Sequence, residues 1–243
     1  MDLPVKMPNP WEGSPVFVVE RTRSTMDDAR EHALRGHPVG TAVIAGYQES
    51  GRGRVQGRRW ISAPWESLLF SVVIAKGDPG FPPGQLPLRA AAAVCRAMDG
   101  MVEKPVRIKW PNDIIIDGRK LAGILCENRR GILVCGIGIN CMQISFSEEI
   151  SRGACSLRQA GWKGGSVFDV CTAVLRELKR ALCGGEWKAE LDARLEGRGS
   201  TVTVRAPGSE RSVTGKIVGI DDEGSLLLET EGGTARITQG EIS

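Results

Sequence analysis

The chain has 243 residues, of which 41% are hydrophobic and 25% are charged, so its composition is that of a globular protein and excludes a disordered one. A net charge of +3 is too small to indicate a broad nucleic-acid-binding surface. The seven cysteines include no Cys-x-x-Cys pair, which argues against a disulfide framework or a zinc site and favours reduced, buried thiols.

The apolar segments are also too short for a membrane protein. The longest, 68–75, falls well below the roughly 20 residues that cross a bilayer as a helix. Residues 1–15 contain four prolines and no basic segment followed by an apolar run, so they do not resemble a signal peptide. We therefore expect a cytoplasmic protein that does not contact membranes.

Residues 1–196 are predicted to form an α+β domain. Ser24 or Thr25 is the expected N-cap of the first helix, because negative charges at Asp27 and Asp28 follow in its first turn. Helical patterns cover 25–34, 86–102, 168–182 and 187–195. Strand patterns cover 39–47, 67–74, 106–110, 114–117, 121–127 and 132–139. This order is typical of helices packed on a mixed β-sheet.

Residues 197–243 have a different pattern and are predicted to be a second domain. Short strands at 201–205, 212–220, 225–229 and 234–237 alternate with turns rich in glycine. Such a series of short strands is typical of a small β-barrel.

The segment 51–60, GRGRVQGRRW, joins two predicted strands and combines four arginines with three glycines and a tryptophan. Glycine permits turns in which successive backbone amides face an anion. The composition predicts a loop that folds over phosphate. A solvated basic turn and an RNA contact are alternatives that the loop alone leaves open.

Four further segments carry polar residues at strand or helix ends. They are Ser24-Thr25, Lys109-Trp-Pro-Asn-Asp113, Lys120-Leu-Ala-Gly-Ile-Leu125 and Gly136-Ile-Gly-Ile-Asn140. Each alone has a plainer interpretation as a helix cap, a strand-end charge or a bulged core strand. Together with the loop, and in this order, the motifs across 16–157 resemble the catalytic domain of biotin protein ligases. The predicted barrel is similar to the SH3-like domain that follows in that family.

The resemblance implies a mixed-sheet catalytic domain of the biotin/lipoyl ligase type and an ATP-dependent reaction. Biotin would be converted to biotinyl-5′-AMP and then transferred to a lysine of a biotin carboxyl carrier protein domain. A carboxylic acid is already ionised at neutral pH and needs no base. This agrees with the position of the two histidines, His32 and His37, outside every motif. The reaction instead needs cations between two anionic reactants.

The resemblance also implies the site residues. The catalytic cations would be Arg54, Lys109 and Lys120. The biotin-binding residues would be Ser24, Thr25, Met26, Gln48, Gly51, Arg52, Gly53, Arg54, Lys120 and Gly123. The ATP-binding residues would be Arg54, Trp60, Lys109, Asn112, Asp113 and Asn140. Mg²⁺ would be held mainly by the phosphates, near Asn112 and Asp113, without an all-protein metal cage.

The chain departs from the family pattern at three places. The loop has one more residue between its second arginine and Trp60, so Arg58 and Arg59 receive no role. Met26 stands where asparagine often follows Ser-Thr, and Glu66 stands where glycine is frequent. These differences affect the expected contacts to biotin near Met26.

Other functions remain open from the sequence. A lipoate- or octanoate-transferring enzyme shares the fold but lacks the Arg-Gly-Arg and Lys-Trp-Pro-Asn-Asp segments. A non-catalytic RNA- or protein-binding module would show salt-sensitive affinity for nucleic acid. Only 23 residues precede Ser24, too few for a winged helix, so we expect no DNA binding. The sequence does not distinguish a monomer from a homodimer.

Overall fold

The computed structural model describes residues 4–55, 57–184, 187–206 and 212–242. Eight strands form the larger sheet in the order β1-β2-β3-β4-β8-β7-β6-β5. They are β1 (Pro4–Val5), β2 (Val16–Thr22), β3 (Ala42–Gln48), β4 (Ser67–Lys76), β5 (Arg107–Lys109), β6 (Asp113–Ile116), β7 (Arg119–Arg129) and β8 (Ile132–Asn140). β2 and β3 are parallel and the other neighbours are antiparallel. The predicted mixed sheet is confirmed, although β1 and β2 were not predicted.

The helices cover both faces of this sheet. They are α1 (Thr25–Leu34), α2 (Gln85–Asp99), α3 (Glu148–Ser151), α4 (Val167–Cys183) and α5 (Trp187–Arg194). Successive strand residues point to opposite faces. Accordingly Val43 packs in a small apolar cluster with α1, whereas Ala42 and Ile44 belong to the main core with α2 and α4. α1 therefore has its own face of the sheet, opposite the larger helical layer.

The α1 face carries three glycines where β7 and β8 pair. Gly136 and Gly138 lie on the same face of β8 as Val134, which packs in the α1 cluster. Gly123 of β7 is paired with Gly138. Because these positions have no side chain, the sheet surface beside α1 is left open for other groups.

The second sheet is antiparallel and contains five strands in the order β12-β11-β10-β9-β13. They are β9 (Thr201–Arg205), β10 (Ser212–Ile220), β11 (Leu226–Thr230), β12 (Gly233–Ile237) and β13 (Glu241–Ile242). The predicted small β-domain is confirmed, and β13 is an addition that the sequence did not predict.

The second sheet contacts the larger domain at the turn around Gly224. The indole Nε1 of Trp110 donates to the Gly224 carbonyl oxygen at 3.1 Å. A Cβ atom at Gly224 would lie 2.5 Å from the carbonyl oxygen of Gly84, so the two backbones meet at a distance that only glycine permits. The turn thereby fixes the second sheet against the start of α2.

The cysteines are all free. Cys95, Cys135, Cys141, Cys155 and Cys171 are buried, as predicted. Two others differ: Cys126 is half-buried and Cys183 is exposed. None of the helices in the described ranges combines the length and apolar character that crossing a bilayer requires.

Candidate active site

Two adjoining clefts lie on the α1 face. The inner cleft is bounded by α1, β4, β7, β8 and the start of the arginine loop. The outer cleft lies between the arginine loop, the segment 109–113 and β13. Five residues line both clefts, so the two form one continuous depression: Gly53, Arg54, Trp60, Asn112 and Lys120.

The structure brings the predicted biotin-binding residues together with one exception. Those that line the inner cleft are Ser24, Thr25, Met26, Gln48, Arg52, Gly53, Arg54, Lys120 and Gly123. Gly51 is not among the lining residues. It is buried behind the loop, where an added Cβ atom would lie 2.9 Å from the Trp60 carbonyl oxygen.

The predicted ATP-binding residues also lie together, again with one exception. Those that line the outer cleft are Arg54, Trp60, Lys109, Asn112 and Asp113. Asn140 instead lies behind the clefts. It is buried, and its Nδ2 donates to the Cys155 carbonyl oxygen at 3.0 Å. Its contact with a nucleotide stays a prediction.

Hydrogen bonds organise the polar end of the inner cleft. The Thr25 backbone N–H donates to Gln48 Oε1 at 2.8 Å, and Thr25 Oγ1 lies 3.0 Å from the same oxygen. Thr25 Oγ1 is also 2.7 Å from Ser71 Oγ. Ser24 is the N-cap of α1 by its backbone conformation, but its side chain makes no capping hydrogen bond. Its hydroxyl therefore does not serve the helix in the way that the plainer interpretation expected.

The indole ring of Trp60 covers the glycines of β7 and β8. A Cβ atom at Gly138 would lie 2.9 Å from this ring, and one at Gly123 would lie 3.2 Å from it. The glycines that leave the sheet surface open thus also accommodate the Trp60 ring. The Trp60 Nε1 atom is buried and has no hydrogen-bond acceptor among the described residues. A donor thus lies unpaired where the two clefts meet.

The first arginine of the loop is bound to α1 and β7. Arg52 donates to both carboxylate oxygens of Asp27, at 2.7 and 2.9 Å, and lies 3.5 Å from Glu127. Arg30 contacts the same two carboxylates. The hydrogen bond from Arg52 is the main cause that lowers the pKa of Asp27. Asp27 therefore remains a carboxylate and anchors the start of the loop.

The later arginines of the loop extend toward β13 and β3. Arg54 donates to the Gly240 carbonyl oxygen at 2.8 Å, and Arg58 donates to both carboxylate oxygens of Glu241, at 2.6 and 3.1 Å. Arg59 donates to the carbonyl oxygen of Glu49. The arginines that the sequence associated with phosphate thus hold the loop to its surroundings in this structure.

Lys120 lies at the junction of the clefts. Its Nζ atom is 2.6 Å from Asp113 Oδ1, its side chain is 41% exposed, and the residue lines both clefts. Lys109 lines the outer cleft next to this pair. The arrangement concentrates positive charge at the boundary where two anionic ligands would meet.

Among the cleft residues that sequence reasoning missed, three carry polar or cross-domain contacts. Ser71 lines the inner cleft, while Glu241 and Ile242 line the outer one. Ser71 does leave a signal, because it is a lone hydroxyl within the apolar strand segment 68–75. Nothing in the local sequence connects β13 with the arginine loop.

Comparison with known proteins gives matches over both domains. The model of the biotin/lipoate A/B protein ligase family matches residues 18–143, and the biotin protein ligase C-terminal domain matches residues 199–243. The biotin–[acetyl-CoA-carboxylase] ligase of Mycobacterium tuberculosis is 33% identical over 93% of this chain and 87% of its own length. The bifunctional ligase/repressor BirA of Bacillus spizizenii is 34% identical over 90% of this chain and 70% of its own.

A solved structure of similar shape is the Aquifex aeolicus biotin protein ligase in complex with biotin and ATP. It has a TM-score of 0.83 and 31% identity, and the match covers 94% of this chain and 97% of that one. Both domains of this chain therefore match domains of biotin protein ligases. The chain belongs to the biotin protein ligase family.

Proposed function

We propose that this chain joins biotin to ATP, forming biotinyl-5′-AMP, and then transfers biotin to a lysine of a biotin carboxyl carrier protein domain. The observation that carries the proposal is the continuous depression with Lys120 and Arg54 at the junction of its two clefts. An enzyme that joins two anions needs a shared cationic boundary of this kind.

Biotin is assigned to the inner cleft, with its carboxylate toward Lys120, and ATP to the outer cleft. The carboxylate is ionised at neutral pH and attacks the α-phosphorus without a general base. Lys120, Lys109 and Arg54 offset the repulsion between carboxylate and phosphate and stabilise the charge that develops on the phosphate oxygens. Pyrophosphate leaves, and the acceptor amine then attacks the carbonyl carbon of the mixed anhydride and releases AMP.

Mg²⁺ is part of the proposal as a phosphate-bound ion that offsets charge on the leaving pyrophosphate. The described residues hold no group of three or more His, Cys, Asp and Glu side chains that would bind a metal alone. Asp113 and Asn112 fit a supporting role, because both line the outer cleft with oxygen-bearing side chains.

The remaining assignments are also proposals. The domain boundary is placed at 196/197, shortly before β9 begins at Thr201. A cytoplasmic location is supported by the seven free cysteines. Whether the chain binds DNA is tested by a gel-shift assay with the promoter of its own gene.

The decisive experiment is a transfer assay with the purified chain, labelled biotin, ATP, Mg²⁺ and a biotin carboxyl carrier domain. We expect biotin-dependent ATP–pyrophosphate exchange and label on one lysine of the carrier. Replacing that lysine with arginine is the matched control and must abolish labelling. Exchange with lipoate but not with biotin would contradict the proposal, as would salt-sensitive RNA binding without any exchange.

A further inference from the structure

Two cysteines face each other across the hairpin of β7 and β8. Cys126 is the direct antiparallel partner of Cys135, and their sulfur atoms are 3.7 Å apart. Both residues pack with the main core, on the face of the sheet opposite the α1 cluster that contains Val134. Neither cysteine lines the inner or the outer cleft, so the pair lies outside the site described above.

The backbone of this hairpin already has the geometry that a disulfide requires. Residues directly opposite each other in an antiparallel pair have Cα atoms about 4.5–5.5 Å apart, within the range of about 4.4–6.8 Å that a disulfide spans. The turn contains only Arg130 and Gly131, whose φ angles of 54° and 73° are typical of a tight hairpin that fixes the register. For a bond of about 2.05 Å the sulfur atoms must approach by roughly 1.7 Å, which rotation about the two Cα–Cβ bonds can supply.

The two thiols differ in their access to solvent. Cys126 is half-buried, whereas Cys135 is completely buried. An oxidant from solution therefore meets Cys126 first, and Cys135 is in position to react second. Burial is the main cause that raises the pKa of the Cys126 thiol, and its hydrogen bond with Cys135 adds to the effect. Because the thiolate is the reacting form, we expect the first step to be slow.

We infer that Cys126 and Cys135 are a modification site that forms a reversible disulfide by exchange with a small disulfide such as oxidised glutathione. The Cys126 thiol loses its proton to solvent, and its sulfur attacks one sulfur of the oxidant and releases one glutathione thiolate. The Cys135 thiolate then attacks the sulfur of Cys126 and releases the second glutathione thiolate. Two protein thiols are oxidised, one glutathione disulfide is reduced, and the two protons end on the released thiols. This inference is independent of the proposed function.

The bond changes the stability of the chain in a measurable way. Cys126 and Cys135 are nine positions apart, so the closed loop is short and the entropy lost by the unfolded chain is moderate. We expect the midpoint of thermal unfolding, Tm, to rise by about 3–8 °C on oxidation. Reduction with dithiothreitol should return Tm to its starting value.

The test uses the full chain with Cys183→Ser, because Cys183 is exposed and would itself form a mixed disulfide with glutathione. After incubation with excess oxidised glutathione, the remaining thiols are alkylated with iodoacetamide in denaturant and counted by mass spectrometry. The count should be two lower than in the untreated chain. Trypsin cleaves after Arg129 and Arg130, so the two cysteines fall on separate peptides, and these should be found joined. Dithiothreitol should restore the original count.

Two further variants are made in the same background. Cys135→Ser should abolish the joined peptides and leave glutathione on Cys126. Cys155→Ser is the matched control, because Cys155 is a buried cysteine whose sulfur donates to the Arg119 carbonyl oxygen instead of to a thiol. It should form the joined peptides to the same extent as its parent.

Two outcomes would overturn the inference. One is a chain whose thiol count stays unchanged after prolonged incubation, which would show that the pair is inaccessible in the folded state. The other is a joined peptide that persists in Cys135→Ser, since Cys126 would then be bonded to Cys141, which lies on the same tryptic peptide as Cys135. Either result leaves the proposed function standing, because that function is tested by exchange and transfer with biotin.

Discussion

The inner and outer clefts differ in how their polar groups are held. In the inner cleft, Thr25, Gln48 and Ser71 fix one another through short hydrogen bonds among elements of a single sheet and α1. In the outer cleft, Arg58 and Glu241 join two domains through side chains that are 66% and 42% exposed. Buried networks specify one geometry, whereas exposed ion pairs contribute little and adapt easily. The comparison indicates that the inner cleft holds its polar groups rigidly, whereas the outer cleft can adjust to its ligand.

The largest effect is expected at the boundary between the clefts. Lys120→Ala should slow adenylate formation by about 10²-fold, because it removes the cation that meets the biotin carboxylate. Single-turnover formation of biotinyl-5′-AMP measures it. Lys104→Ala is the control, since Lys104 pairs with Asp117 at 2.7 Å much as Lys120 pairs with Asp113 at 2.6 Å. If Lys120→Ala and Lys104→Ala formed the adenylate at equal rates, Lys120 would have no catalytic role.

Arg54→Ala should also depress adenylate formation, by about 10-fold or more, because the residue lines both clefts and its charge would be lost from their junction. Arg54→Lys keeps the charge and should recover part of the rate. Measuring the two variants at saturating biotin and ATP separates chemistry from binding. If Arg54→Ala turns over like the wild type, the charge at the junction is supplied elsewhere.

Closure of the arginine loop gives a third prediction. We expect hydrogen exchange in residues 51–60 to slow several-fold when biotin and ATP are both added, because closure keeps water from the acyl-adenylate. Either ligand alone should produce a smaller change. The segment 212–220 on the second sheet serves as an internal reference. Unchanged exchange in the loop would contradict gating.

The two anchors of the loop should differ in strength. Asp27→Asn is expected to raise the KM for biotin about 5-fold, and Glu241→Gln to raise the KM for ATP only about 2-fold, because the second pair is more exposed. Steady-state kinetics measures both values. A larger change in KM for Glu241→Gln than for Asp27→Asn would show that the Glu241 anchor is the stronger of the two.

The Asp27 anchor also has a defined pH dependence. Its pKa is lowered in the folded chain relative to its ordinary value of 3.8, so the contribution of the pair is present above that value and is lost as pH falls through the lower folded value. The difference in unfolding free energy between wild type and Asp27→Asn should be constant from about pH 7 to about pH 5 and decline near pH 3. A decline already at about pH 6 would assign the effect to another group.

Local patterns were sufficient to predict most of the fold. The limits of β9 and β10 were predicted to the residue, because turn residues bound both strands. β2 was missed although Val16 and Phe17 begin it, since Glu20 and Arg21 near its end do not continue an apolar alternation. Ser24-Thr25 and Gln48 were found because they accompany the motifs that carried the family resemblance.

The rest of the site depends on contacts that no local pattern encodes. Arg58 and Glu241 are 183 positions apart, and their pairing depends on how the second sheet sits against the first. Ser71 and Thr25 are 46 positions apart and meet because α1 lies over β4. Asn140 was assigned to the nucleotide by its motif, and that assignment stays a prediction; its hydrogen bond to the Cys155 carbonyl oxygen, 15 positions away, is a contact that the motif did not indicate.

The position of Trp60 makes its intrinsic fluorescence a probe of ligand binding. Indole emission depends on the polarity and hydrogen bonding around the ring, and this indole touches both clefts with its N–H unpaired among the described residues. Filling either cleft changes the surroundings of that ring, so the spectrum of the unlabelled chain responds to occupancy. Of the six tryptophans, Trp60 can be isolated by comparing the wild type with Trp60→Phe, and the difference follows each ligand as it arrives.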